Sequence, residues 1–157
     1  MTAMQRPVLV AVVLAALTVL APVLSGSCAQ AATAEQEFLA SQAAGRPFVL
    51  VVAPRRPNKG SEAYADWQSY LEAFSTRVGS EVPIYTLSAD HFRKIVKTPR
   101  LRSSFATLFS NGAQVLFHDG MVLEPQVYSV GLQFIRDRSI AAAAADHGLK
   151  STKLERR

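Results

Sequence analysis

Three cations, Arg55, Arg56 and Lys59, fall within the stretch FVLVVAPRRPNKG, residues Phe48 to Gly60. Guanidinium and ammonium groups held this close suit one chemistry above others: gripping a phosphate or a carboxylate through charge-assisted hydrogen bonds. A second basic run, Arg93, Lys94, Lys97, Arg100 and Arg102, has no acidic residue inside it. Free phosphate groups, anionic lipid heads and acidic protein surfaces all satisfy that chemistry. So does plain solvent, since exposed like charges are screened by water and salt.

Other chemistries find less to work with. His91, His118 and His147 are spread along the chain without metal-ligand spacing. Asp90-His91 and His118-Asp119 would have to meet in space to hold a metal. Glu35, Glu37, Glu62, Glu72 and Glu81 read as surface carboxylates, with no pair placed for general acid–base work. There is no G-x-S-x-G nucleophile motif, no Gly-rich phosphate loop and no nucleic-acid motif. No catalytic residue, metal or cofactor is expected.

The cations need a scaffold, and hydrophobic periodicity supplies one. Phe48 to Ala53 is a continuous apolar run with three valines and a proline on either side. That pattern suits a strand covered on both faces. Tyr64, Trp67, Leu71, Phe74 and Val78 step by three and four residues along one helical stripe. Asn58 or Ser61 can cap this helix and Gly79 can end it. Upstream, Thr33–Ala44 reads as a short helix anchored by Phe38 and Leu39, broken by Gly45-Arg46-Pro47. Downstream, Val82–Ser88 is a second strand, which Pro83 assigns to a sheet edge. Asp90 can cap a short basic helix to about Val96, and Pro99 closes that region. In FATLFSNGAQVLFHDG two apolar runs flank Asn111-Gly112, the signature of a hairpin with a type I′ turn. Glu124-Pro125 opens a last helix whose inner face is Val127, Tyr128, Gly131, Phe134 and Ile135. The alanine run Ala141–Ala145 can extend it to His147-Gly148, and Lys150–Arg157 reads as a frayed basic tail. The order predicts an α/β domain over 32–149, a four-stranded mixed sheet with helices on both faces.

Residues 1–31 stand apart. Arg6 is their only charged residue, Val8–Ala21 is apolar except for Thr18, and small residues follow. These are the regions of a secretory signal peptide, with Ala29-Gln30-Ala31 as the cleavage site and Ala32-Thr33-Ala34 as a second candidate. Two alternatives stay open: an uncleaved membrane anchor, or lipid attachment at Cys28, where the preceding Leu24-Ser25-Gly26-Ser27 has its aliphatic residue one place early for a lipobox. Cleavage would take the net charge from +5 to +4 and remove Cys28, the only cysteine. The product would then fold by packing alone, in the periplasm or outside the cell.

LRSSFATLFSNGAQVLF, Leu101–Phe117, resembles the thioredoxin stretch that passes a cis-proline and a threonine into a strand, an NG turn and the next strand. FVLVVAP resembles that family's central strand, and the tryptophan-bearing helix follows it. The chain is thus similar to the thioredoxin-like superfamily over Phe48–Ile135. The resemblance implies a thioredoxin-like fold. It would put the family's C-x-x-C near Arg56 to Lys59, where no cysteine stands, and its cis-proline near Ala106, followed by Thr107. A cis bond to a residue other than proline costs about 3 kcal/mol, so a trans peptide is expected there. Thiol–disulfide exchange needs an attacking thiolate, which the cleaved chain would lack. In such a fold the segment before the hairpin lies beside the first strand–helix junction, so Arg100 and Arg102 are expected to join Arg55, Arg56 and Lys59 in one patch. The resulting expectation is an exported, non-redox binding module with a face for an acidic protein or an anionic ligand and none for nucleic acid. Membrane contact is expected only if the signal is retained or Cys28 is lipidated. The alternatives are an accessory envelope protein with no ligand, or an enzyme of non-thiol chemistry.

Overall fold

A computed structural model describes residues 26–56, 58, 60–79, 81–137 and 143–157. Most of the segment read as a signal, residues 1–25, lies outside the described residues, as do Pro57, Lys59, Ala141 and Ala142. The chain folds as mixed α/β. Its elements are α1 (Gly26–Ala43), β1 (Phe48–Ala53), α2 (Glu62–Val78), β2 (Ile84–Ser88), α3 (Ala89–Ile95), β3 (Val96–Thr98), β4 (Ala106–Ser110), β5 (Val115–Asp119), α4 (Pro125–Arg136), β6 (Lys150–Thr152) and β7 (Glu155–Arg156), with a 3₁₀ turn at Ala143–His147 before β6. Among the described residues no helix is long and apolar enough to cross a membrane.

The main sheet runs β2-β1-β4-β5-β6. β1 and β2 are parallel, joined through α2, and every other neighbouring pair in this sheet is antiparallel. Alternate residues of a strand point to opposite faces, so each central strand feeds two cores. Phe48, Leu50, Val52, Leu108 and Val115 meet Phe38 of α1 and Phe92 of α3. Val49, Phe109 and Leu116 meet Phe74 and Val78 of α2 and Tyr128 and Phe134 of α4. Each such side chain contributes about 1.5–3 kcal/mol relative to exposure. The α2 stripe holds, with Trp67, Phe74 and Val78 buried. Gly131 lets α4 lie directly on the ring of Phe109, which a Cβ there would overlap. The hydroxyl of Tyr128 donates to the Val122 carbonyl at 3.3 Å.

Four details depart from the sequence reading. The main sheet has five strands, because Lys150–Thr152 adds β6 to the outer edge of β5. β7 pairs with β3 in a second, two-stranded sheet. The tail looked frayed because it is polar, yet a ladder is built from backbone N–H and C=O groups, which polar residues carry equally well. Secondly, α3 is capped by Ser88, whose Oγ accepts from the His91 N–H at 3.2 Å, and not by Asp90. Thirdly, α1 begins at Gly26, ahead of Thr33, and α4 ends at Arg136 with Asp137 extended at its C-cap, so the described part of the alanine run belongs to the 3₁₀ turn. Lastly, the hairpin loop is four residues long: Ser110 pairs with Val115. The side chain of Asn111 replaces the two-residue turn, its Oδ1 accepting from Ala113 N at 3.0 Å and Gln114 N at 2.9 Å.

That loop closes one end of the sheet. Gly112 has φ +90° and lies against the backbone of Gly45, where a Cβ would overlap the Gly45 carbonyl. Gly45, at φ +61°, ends α1 in a left-handed turn that lets Arg46 N donate to Ser41 O at 2.9 Å.

Candidate functional site

The opposite end of the sheet carries the cations. β1 leaves it at Ala53 and the chain turns through Arg55, Arg56 and Asn58 into α2. Ser61 caps α2, its Oγ accepting from Tyr64 N at 3.2 Å. Asn58 steadies the turn: its carbonyl accepts from Ser61 N and its Oδ1 from Gly60 N, both at 3.3 Å.

Arg55 is engaged. Its Nη2 lies 3.2 Å from His91 Nε2, and His91 Nδ1 lies 3.5 Å from Glu35 Oε2. A guanidinium can only donate, so Nε2 must accept and the imidazole proton must sit on Nδ1, facing Glu35. Glu35 of α1, His91 of α3 and Arg55 of the β1–α2 turn therefore form one polar chain.

The segment before β4 is fixed in turn. The Thr98–Pro99 bond is cis. This is the cis bond among the described residues, and it falls ahead of the position near Ala106 considered from the resemblance. Asp119 accepts from Arg102 N at 2.8 Å and Ser103 N at 2.9 Å. Arg93 reaches back from α3 and donates to Ser103 O at 3.1 Å. Phe105 stacks edge-on against Trp67 with centroids 5.2 Å apart, and lies 6.3 Å from the ring of Tyr64. The loop is thereby pinned to the first turns of α2. Register does the rest: Val52 pairs with Ala106, so the turn after β1 and the loop before β4 leave the sheet at the same end.

Arg55, Arg56 and Arg102 thus belong to neighbouring loops at one end, and Lys59 lies outside the described residues. Arg100 lines a recess of about 220 Å³, walled by Phe92, Val96, Pro99 and Leu101 and ringed by Arg93, Lys97 and Arg157. Arg56, Arg100 and Arg102 have no side-chain partner among the described residues. The linkage of Glu35 to His91 and the arrival of Arg157 beside Arg93 were invisible in the sequence, since each joins residues far apart in the chain.

The two Asp–His dipeptides do not converge. Asp90 pairs with Arg93 at 3.9 Å, and Asp119 is committed to the backbone of Arg102 and Ser103. Among the described residues no three His, Cys, Asp or Glu side chains gather as a metal site. What the arrangement can do is present cations on preorganised loops. No protein-family model, curated protein or solved structure matches this chain.

Proposed function

We propose that this chain is an exported, non-redox binding module of thioredoxin-like topology, whose basic sheet end receives an acidic protein surface or an anionic ligand. The topology is supported by the strand order β2-β1-β4-β5, with β1 and β2 parallel, β4 reversed and helices on both faces. Where redox members of that superfamily keep a cysteine pair, this chain has Arg56, Pro57, Asn58 and Lys59. Export is supported by the composition of residues 1–31 and places the module in the periplasm or outside the cell.

One observation carries the binding role. The Val52–Ala106 pairing sets two arginine-bearing loops side by side, each held by its own hydrogen bonds. Loop backbones fixed in advance lose little freedom on binding, so more of the attraction of the cations they carry appears as affinity. The test is capture of the purified protein on immobilised poly-glutamate across a salt series. Binding should weaken as salt rises, and Arg55→Ser, Arg56→Ser and Arg102→Ser together should abolish it. Capture by the triple variant equal to that of the parent would overturn the proposal. A second reading, an accessory envelope protein with no ligand, draws on the bond between Arg55 and His91, which gives one of the three arginines a structural task.

A further inference from the structure

We infer that the recess around Arg100 is a binding site for a phosphate group. This deepens the reading of the basic end and rests on it at Arg100, but it uses a different set of partners. Arg93 comes from α3, Lys97 from β3, Arg100 from the loop after cis-Pro99, and Arg157 follows β7. Two of these side chains have partners before any ligand arrives, and a third residue, Arg157, is fixed through its backbone. Arg93 is anchored on Ser103 O at 3.1 Å. Lys97 pairs with Glu155 at 3.5 Å. Arg157 donates its backbone N–H to Ile95 O at 3.1 Å, next to the Val96–Arg156 pair of the second sheet.

Charge counting selects the ligand. Glu155 offsets Lys97, and Asp90 lies 3.9 Å from Arg93. No carboxylate among the described residues pairs with the guanidinium of Arg100 or of Arg157. Two guanidinium groups are left without a carboxylate side chain. A phosphate ester carries about −1.5 to −2 at neutral pH and offers them three acceptor oxygens, where a carboxylate offers two. Guanidinium forks match phosphate oxygens two at a time. The walls strengthen the pull: Phe92, Val96 and Pro99 are buried apolar groups, and charges beside a low-dielectric wall interact more strongly than in open water. At about 220 Å³ the recess admits a phosphate and a short apolar stem, not a nucleotide lying whole within it.

The phosphate can be free or carried by a lipid, and one experiment separates the two. The full chain, labelled with ¹⁵N, is titrated with inorganic phosphate against acetate and chloride at matched ionic strength. Saturating shifts should appear in residues 92–101 and 156–157 with phosphate, and weakly or not at all with acetate. Arg100→Ser should weaken binding by about tenfold to a hundredfold, the usual worth of a charge-assisted contact, and Arg100→Lys should recover part of it. Arg157→Ser should act in the same direction, and both positions are exposed, so folding is preserved. Co-sedimentation with vesicles containing phosphatidic acid, reversed by inorganic phosphate, would assign a lipid source; saturable phosphate shifts without vesicle binding would assign a free one. Phosphate shifts that are absent, or unchanged in Arg100→Ser, overturn the recess site. If poly-glutamate capture persists in that case, only the recess fails; if capture is lost from the parent as well, the basic-end reading fails too.

Discussion

The two ends of the central sheet solve opposite problems. At one, Gly112 of the β4–β5 loop rests on Gly45 at the end of α1, backbone against backbone, with Asn111 buried and bonded to its own loop. At the other, the β1–α2 turn and the loop before β4 keep their arginines outward and spend their hydrogen bonds on the loop backbone. The closed end leaves no room for a side chain, so its residues are chosen by sterics. The open end is shaped by backbone capping, so its side chains are free to be chosen for charge. Stability and binding should therefore respond to substitutions at different ends.

The largest expected effect is at the closed end. Gly112→Ala forces a Cβ into the Gly45 carbonyl and an L side chain into positive φ. The cost should be about 2–4 kcal/mol, read as a lower urea midpoint with an unchanged slope. A shift below about 0.5 kcal/mol would break the comparison.

An effect of similar size, confined to high pH, belongs to the packed layer. Burial pushes the Tyr128 hydroxyl up to about 12 from 10.0. The folded protein thus holds this proton more tightly than the unfolded chain. Its contribution is complete below pH 10 and is lost as pH rises from 10 to 12, about 3 kcal/mol over the two units. Tyr128→Phe should cost about 1 kcal/mol at neutral pH and make the alkaline decline shallower by roughly that larger amount. Arg56→Ser should leave the decline as it is. An alkaline limb unaltered in Tyr128→Phe would place its origin elsewhere.

The smallest effect on folding is expected at the open end. Arg56→Ser with Arg102→Ser should move stability by no more than about 0.5 kcal/mol, because both side chains are exposed and neither has a partner among the described residues. A loss of several kcal/mol on thermal or chemical unfolding would show that this end also holds the fold together.

Local patterns were legible and distant pairings were not. The β1 run, the Trp67–Phe74–Val78 stripe and Pro125 at the start of α4 each announce themselves within a few residues, and each stands where it was expected. The hairpin was found at Asn111-Gly112, but its loop type was missed because the Asn111 side chain and the Gly45 contact decide it. Polarity hid β6 and β7, whose existence depends on edges offered by β5 and β3. At the site, the arginines could be named, while the partners that orient them could not. Glu35, Arg55 and His91 come from three elements, and nothing in their spacing along the chain brings them together.

The last strand has a practical consequence for anyone handling the protein. Residues 150–156 are stitched into two sheets, and Arg157 rests beside α3. An affinity handle or fluorescent reporter fused after Arg157 would hang from a paired strand at the mouth of a charged recess. A polyhistidine or acidic handle there would crowd the very anions being assayed, so labels are better carried at a surface cysteine introduced on the outer face of α2.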